Sequence, residues 1–256
     1  MFDIEHLNRL RGYELTRIIG HFRPGASILE LGAGTGAQAL ALSKHGFTVS
    51  AVDIPQSNYA EQRIFPVVDY DGHHLPFAAA SFDIVYSSNV LEHVQDLAAI
   101  HAEIRRVLNP GGYCVHVLPS TSWRLWTTLS AFPDAVNVVR PQLGRLIPSR
   151  VSLQAIRQTG SVWRQCLRHL LRPLVPIPHG EVGNALTELW RFSSTHWQRH
   201  FDRHGFEIVT SKPMGLFYTG YMFYGTRFSL ERRESLSHWL GSACNLFELR
   251  PKQNNR

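Results

Sequence analysis

The stretch of sequence that decides the fold is ILELGAGTGA, residues 28–37. A short apolar run ends there in three alternating glycines, Gly32, Gly34 and Gly36, and a helix-favouring segment follows. Glycine permits a tight turn and lets a ligand approach the backbone where a Cβ would collide. We therefore predict a strand, a glycine loop and a helix that together form a nucleotide or nucleoside pocket. A glycine loop alone is a weak motif, so its surroundings must decide its meaning.

Outward from this stretch, short apolar runs alternate with helical segments up to about residue 118. The expected strands are SILEL, TVSAVD, FPVVD, FDIVYSS and YCVHVL, and helices are expected over residues 4–22, 37–45 and 96–108. Strands that are separated by helices pair in parallel through crossover connections. The pattern therefore predicts a layered α/β domain.

The composition changes at Pro119. Residues 120–180 contain eight arginines and a single acid, which places most of the positive charge of the chain there. We predict three regions: a cofactor-binding half with its leading helix (1–119), a basic helical lid (120–192) and a segment that completes the core (193–256). In the last region we expect a helix capped by Ser193 or Ser194, a turn at Gly205, a strand, a last strand near 216–225 and a tail helix.

Overall composition excludes several classes of protein. The net charge is +6, yet no lysine or arginine stripe with interleaved aromatics appears, so a nucleic-acid partner is disfavoured. The three cysteines are far apart and show no metal-binding spacing, so we expect neither disulfides nor a metal site. We find no signal peptide or membrane span and expect a cytoplasmic protein, with peripheral contact to a membrane as an alternative.

Asp53 ends the strand after the glycine loop, 21 positions beyond Gly32. An acid at about this spacing accepts hydrogen bonds from ribose hydroxyls in dinucleotide-binding folds. The competing interpretation is an aspartate that caps the turn before Pro55.

Three motifs occur in order: ELGAGTG at 30–36, DGHHLPFAAASFDIVYSSNVLEHV at 71–94 and LNPGGYCVHVLPS at 108–120. With these motifs, residues 28–118 resemble the Rossmann-like, class I S-adenosylmethionine-dependent methyltransferases, in the type 11-like group with an LPF motif. The resemblance implies a doubly wound, mostly parallel seven-stranded sheet with helices on both faces, and S-adenosylmethionine as cofactor. It implies cofactor contacts from the glycine loop, from the acid after the second strand, from the acid before the LPF motif and from the mouth of the fourth strand. Carried over, these are Glu30, Gly32, Ala33, Gly34, Gly36, Asp53, Ile54, Asp71, Gly72, Ser88 and Asn89.

Glu30 also argues physically for this cofactor. A carboxylate just before the loop suits a cationic ligand better than a pyrophosphate, which prefers an uncompensated helix N-terminus. S-adenosylmethionine carries an ammonium and a sulfonium, whereas NAD carries two phosphates.

Methyl transfer from a sulfonium needs mainly alignment and exclusion of water, and it needs a general base when the acceptor must lose a proton. The candidate bases are His93 in LEHV, and His179 with Glu181 in PIPHGEVGN. Each has an ordinary alternative, a structural histidine for His93 and a polar loop for the other two. We expect O-methylation of a small-molecule, saccharide or lipid-linked acceptor. The alternatives are a non-catalytic scaffold and a membrane-surface interaction protein.

Residues 157–172 place Arg157, Arg164, Arg168 and Arg172 opposite an apolar helical face of Val162, Trp163, Cys166, Leu167 and Leu170. The simplest expectation is that this apolar face packs onto the domain. Two alternatives remain: the helix rests on an anionic membrane, or its arginines recognise an acidic group of the acceptor.

Overall fold

The computed structural model describes residues 4–145, 153–171, 178–180, 183–220 and 225–252. Its α-helices are α1 (Ile4–Ile18), α2 (Ala37–Lys44), α3 (Leu97–Val107), α4 (Thr121–Val139), α5 (Leu153–Leu171), α6 (Ala185–Arg191), α7 (Ser194–Arg203) and α8 (Leu230–Leu240). Its strands are β1 (Ser27–Leu31), β2 (Thr48–Asp53), β3 (Val68–Asp69), β4 (Phe82–Ser88), β5 (Leu108–Pro119), β6 (Phe206–Pro213) and β7 (Cys244–Pro251).

Within the described residues the strands form one seven-stranded sheet in the order β3-β2-β1-β4-β5-β7-β6. Strand β1 pairs in parallel with β2 and β4, whereas β7 runs antiparallel between β5 and β6. The chain order changes direction between β1 and β4, and open α/β sheets bind ligands at the carboxyl ends of their strands at such a point. The predicted doubly wound, mostly parallel sheet is confirmed, and its switch point lies at the glycine loop.

Helices cover both faces of the sheet. Ile28 of β1 packs in a buried cluster with Leu10 of α1, whereas the next residue, Leu29, packs in a separate cluster with Ile104 of α3 and Phe201 of α7. Successive side chains of a strand point to opposite faces, so a strand that is buried on both faces reads as a continuous apolar run. This is why SILEL could be recognised as a central strand.

The capped helix after the lid is confirmed in detail. The Ser193 side chain accepts a hydrogen bond from the His196 amide at 3.1 Å, so Ser193 rather than Ser194 is the N-cap of α7. Gly205 then turns the chain with a φ of +82°, and β6 begins at the next residue.

The prediction of a last strand near residues 216–225 is wrong for residues 216–220, which form no strand, and residues 221–224 lie outside the described part of the chain. Leu216 is buried but lies in irregular backbone, where its carbonyl accepts a hydrogen bond from the Ala243 amide at 2.8 Å. The last strand is instead β7, which follows α8 and inserts between β5 and β6. An apolar run can be buried under a helix as well as in a sheet, so composition alone could not distinguish the two segments. Of the polar end PKQNNR, Pro251 closes β7, and residues 253–256 lie outside the described part.

The segment 120–192 contains α4, α5 and α6. On α5, Cys166 is buried, but Trp163, Leu167 and Leu170 are 56%, 55% and 42% exposed. The expectation that this apolar face packs onto the domain is therefore wrong for these three side chains. Cys166 faces inward, with its Sγ 3.9 Å from Oε1 of Gln142, and Val162 is half-buried. The side chain of Arg157 and the whole of Arg172 lie outside the described part of the chain.

None of the described helices combines the length and the apolar composition that crossing a bilayer requires.

Candidate active site

The glycine loop requires glycine on steric grounds at two positions. Gly32 and Gly36 have φ values of +70° and +75°, which side chains rarely adopt. A Cβ on Gly32 would lie 2.5 Å from Cγ2 of Val90, and one on Gly36 would lie 2.7 Å from Cβ of Phe65. The loop is therefore enclosed by neighbouring chain and presents bare backbone at the carboxyl end of β1.

Asp53 ties this loop to the end of β2. Its Oδ2 accepts a hydrogen bond from the Gly34 amide and its Oδ1 accepts one from the Ile54 amide, both at 2.8 Å. A carboxylate has about four acceptor positions, so two backbone bonds leave capacity for hydroxyl donors. The capping interpretation of Asp53 and the ribose interpretation are therefore compatible.

Glu30 lies inside the sheet, in register with Ala51 of β2 and Tyr86 of β4. The residue is only 2% exposed, and its Oε2 has no hydrogen-bond partner among the described residues. Burial raises the pKa of Glu30 to about 8. A buried carboxyl group without a partner is costly, and a cationic ligand group beside it would remove that cost. The buried carboxyl group of Glu30 therefore fits the ammonium of S-adenosylmethionine.

The resemblance also implies that Asp71 and Gly72 face the adenine, and Gly72 adjoins Ile54 at the end of β2. A Cβ built on Gly72 would lie 3.7 Å from Cγ2 of Ile54, and Ile54 is 39% exposed. Asp71 is engaged in its own turn, where its Oδ1 accepts from the amides of His73 and His74 at 2.8 and 2.6 Å. These backbone hydrogen bonds hold the pKa of Asp71 well below its usual range. Contact of Asp71 with adenine stays a prediction.

Ser88 is the last residue of β4, and Asn89 follows it directly. Asn89 has a φ of +55°, and its amide donates to the Val117 carbonyl at 2.8 Å. Its Nδ2 donates to Oγ of Ser88 at 3.3 Å. Asparagine tolerates this left-handed conformation better than most residues, and such positions cluster at functional sites.

A polar network next to Asn89 was not found by sequence analysis. Nη1 of Arg11 lies 2.7 Å from both Oε2 of Glu14 and the hydroxyl of Tyr218. The Tyr218 hydroxyl also contacts Sγ of Cys244 at 3.0 Å, and that thiol lies 3.4 Å from Oδ1 of Asn89. Arg11 and Tyr218 are separated by 207 positions, so no local pattern connects them. The only sequence signal is the spacing of Arg11 and Glu14 on α1.

Two of the three candidate bases come together. The rings of His93 and His179 lie 4.7 Å apart between centroids, and Trp123 lies 4.5 Å from His179 on another side. Although the His179 side chain keeps some exposed surface, loss of water around the ring, followed by the charges of neighbouring cations, lowers its pKa. Glu181 lies outside the described residues.

The lid holds His179 through its backbone. Oε1 of Glu188 accepts hydrogen bonds from the amides of His179 and Gly180, each at 2.7 Å. The buried Glu188 carboxylate also pairs with Nε of Arg124 at 3.0 Å, so the ion pair joins α6 to α4. Sequence analysis missed both ionic residues, because neither stands in a motif.

Glu92 was also missed, although it precedes His93 in LEHV. Its side chain is fully buried, and its Oε1 lies 3.8 Å from Nε2 of His93. Neither carboxylate oxygen has a hydrogen-bond partner among the described residues. Burial raises the pKa of Glu92 to about 8.

Residues 29–116 match the family model described as a methyltransferase domain, of type 11. This segment is a class I S-adenosylmethionine-dependent methyltransferase domain. The glycine loop, Glu30 and Asp53, whose geometry is given above, lie within the matched part of the methyltransferase domain, and the predicted cofactor, S-adenosylmethionine, is confirmed.

Comparison with known proteins extends beyond this domain. The chain is 40% identical over 92 residues to a demethylmenaquinone methyltransferase of Corynebacterium efficiens, covering 35% of this chain and 40% of that protein. It is 33% identical over 173 residues to the biotin biosynthesis bifunctional protein BioHC of Cellvibrio japonicus, covering 64% of this chain and 33% of that protein. The matches thus span less than half the length of these relatives.

Among solved structures, an S-adenosylmethionine-dependent methyltransferase from Mesorhizobium loti superimposes with a TM-score of 0.53 at 16% identity. The superposition covers 93% of this chain and 97% of that chain. At this level of identity the likeness concerns the fold alone. It extends past residue 116, so the segments that follow the matched domain belong to the same architecture.

Proposed function

We propose that the chain transfers the methyl group of S-adenosylmethionine to an oxygen atom of a small-molecule, saccharide or lipid-linked acceptor. The observation that carries this proposal is the glycine loop, held by Asp53, next to the buried carboxyl group of Glu30, whose Oε2 has no hydrogen-bond partner among the described residues. That combination offers bare backbone to a nucleoside and a carboxylate to an ammonium.

When bound, S-adenosylmethionine supplies an already activated methyl group, so the chain must mainly align the acceptor and exclude water. A hydroxyl acceptor must also lose its proton during attack. His93 and His179 lie close enough to act on one acceptor. The lowered pKa of His179 keeps its imidazole neutral near pH 7 but also makes it a weaker base than an unperturbed histidine. The segment 120–192 supplies His179, which lies beside His93.

Calorimetric titration with S-adenosylmethionine and with S-adenosylhomocysteine tests the proposal first. We expect micromolar binding of both. If neither compound binds, the proposal is contradicted and the scaffold interpretation is favoured.

Transfer of a labelled methyl group to lipid and saccharide extracts then tests the acceptor class. The Corynebacterium relative is named for demethylmenaquinone, which supports including that molecule. Label that appears only in protein or nucleic acid would contradict the proposed acceptor class.

The surface of α5 favours a lipid-linked acceptor. Trp163, Leu167, Leu170 and Leu171 recur at helical spacing and are all exposed. Arginines flank this apolar stripe within a lid of strongly positive charge. Amphipathic helices with tryptophan and leucine beside basic residues lie in the interface of anionic bilayers. We therefore propose that the lid docks on an anionic membrane from which the acceptor is taken.

Sedimentation with vesicles tests this docking. Vesicles of phosphatidylcholine with phosphatidylglycerol are expected to carry down the wild-type chain, and vesicles of phosphatidylcholine alone are expected to carry down much less. The double variant Trp163→Ser, Leu167→Ser should stay in the supernatant. Trp239→Ser is the matched control, because Trp239 on α8 is 89% exposed and lies outside the lid. Equal sedimentation of all three proteins would rule out α5 as the docking element.

A further inference from the structure

Glu92, His93 and His179 bring three potential metal ligands together where the lid meets the β4 loop. One ligand atom from each residue can be chosen so that all three lie within 4.8 Å of one another. We propose that these residues form a binding site for a divalent transition-metal ion, of which Zn²⁺ fits the ligand set best. This inference goes beyond the proposed methyl transfer, because binding of an ion can be measured without any acceptor.

The ligand set has the composition of known zinc sites. Two imidazoles and one carboxylate hold Zn²⁺ in several catalytic sites and leave a fourth position open. Ligand bonds of about 2.0–2.2 Å in a tetrahedron place ligand atoms about 3.4 Å apart. The distance from Oε1 of Glu92 to Nε2 of His93 is 3.8 Å. Small side-chain rotations would bring these two atoms to the separation that a tetrahedral ion requires.

The carboxyl group of Glu92 provides an independent reason to expect a cation. Its side chain is fully buried, and both of its oxygens lack a hydrogen-bond partner among the described residues. Buried charged groups in proteins are paired or coordinate metals. The side chain of His93 is 40% exposed, so the site is open to solvent on one side and an ion can enter.

The lid is built to hold the third ligand in place. Glu188 fixes the backbone of His179, and Arg124 neutralises Glu188. A Cβ on Gly180 would lie 2.8 Å from the Glu92 carbonyl oxygen, so only glycine lets the lid approach the loop that carries Glu92 so closely. The metal site is therefore complete only when the lid is seated on the domain.

A bound ion would act on the acceptor directly. Its open position suits a hydroxyl oxygen, whose pKa falls when it coordinates a metal ion. Glu92 and the two histidines would then hold the ion, so neither histidine would act as the base, and the coordinated hydroxyl would release its proton to solvent water.

Titration of tag-free, chelator-treated protein with Co²⁺ tests the site, because tetrahedral Co²⁺ has strong visible absorption. We expect one ion per chain, displaced by Zn²⁺. Glu92→Gln and His179→Gln should each weaken binding by about 100-fold. His238→Gln is the matched control, because His238 is exposed on α8 and stands outside the site. Thermal unfolding of each variant checks that its fold is retained.

A second variant separates this site from a cluster of histidines on α3 and α7. The Nε2 atoms of His101 and His200 lie 3.1 Å apart, so that pair could also attract an ion. Binding that survives His179→Gln but is lost in His200→Gln would overturn the proposal, as would absence of binding by the wild-type chain. Titration with S-adenosylmethionine in the metal-free protein keeps failure of this inference distinct from failure of the proposed function.

Discussion

At the scale of single residues, Asp53 is the most informative side chain. Asp53 is predicted to accept a pair of charge-assisted hydrogen bonds from the ribose, so replacing it with Ala should weaken cofactor binding by about 2–4 kcal/mol. Calorimetry measures the change. Asp69→Ala is the control, because Asp69 is exposed at the end of the neighbouring strand β3. An unchanged affinity in the Asp53 variant would refute the placement of the ribose.

Glu30 gives a second prediction, which concerns protons. Because its pKa is raised to about 8, Glu30 is mostly protonated in the free protein near neutral pH. An ammonium beside it favours the charged form, so binding of the cofactor should release close to one proton. Calorimetry in buffers of different ionisation enthalpy measures this release, and Glu30→Gln should abolish it. Equal proton release by the wild type and the Glu30→Gln variant would show that the proton comes from a group other than Glu30.

At the scale of secondary-structure elements, the buried pair of Arg124 and Glu188 joins α4 to α6. Replacing Glu188 with Gln removes the negative charge that pairs with the buried Arg124 guanidinium, which should lower the free energy of unfolding by about 3–5 kcal/mol. Urea denaturation measures the loss. Glu207→Gln on β6 is the matched control, because Glu207 is exposed. Equal stability of the two variants would show that the pair does not stabilise the lid.

The elements themselves were predictable to different degrees. The strand SILEL and the helix that begins after Ser193 carry their own signals, an apolar run before glycines and a capping hydroxyl. Strand β7 has no local sequence signal that distinguishes it from the irregular segment around Leu216. Leu216 and Leu246 are equally buried, and Leu246 belongs to a strand only because β7 pairs with β5 and β6. The exposure of Trp163 was also not predictable. The apolar pattern of a helix shows which face is hydrophobic, but not whether another part of the chain packs against that face.

At the scale of the whole molecule, two buried histidines contribute to the pH dependence of stability in weak acid. His101 and His116 are fully inaccessible, and burial lowers the pKa of His116 to about 3 and that of His101 further. His200, His204 and Arg105 add positive charge around His101. Below about pH 6.5 the unfolded chain protonates these two histidines and the folded chain does not, so their contribution to stability falls as the pH falls. Glu30 and Glu92 act in the opposite direction, because their raised pKa lets the folded chain keep protons that the unfolded chain loses. Each histidine contributes about 1.4 kcal/mol per pH unit.

Urea denaturation between about pH 6.5 and pH 5 measures this slope, before most carboxyl groups titrate. His101→Phe should reduce the slope by about 1.4 kcal/mol per pH unit, because Phe binds no proton in either state. His238→Gln should leave the slope unchanged, since His238 is exposed. A slope that is the same in the wild type and in His101→Phe would mean that His101 is protonated in the folded protein.

The sequence by itself determined the cofactor half of this protein. Gly32, Gly36 and Asp53 act through backbone conformation and short-range hydrogen bonds. Such requirements depend on a few residues close together in the sequence, so a local pattern reveals them. Only the tertiary structure decided which groups would meet across the chain. His179 reaches His93 because a distant ion pair holds the lid, and Arg11 reaches Tyr218 because both pack beside β7. Contacts of this kind follow from how helices and strands pack, and packing depends on the whole chain at once.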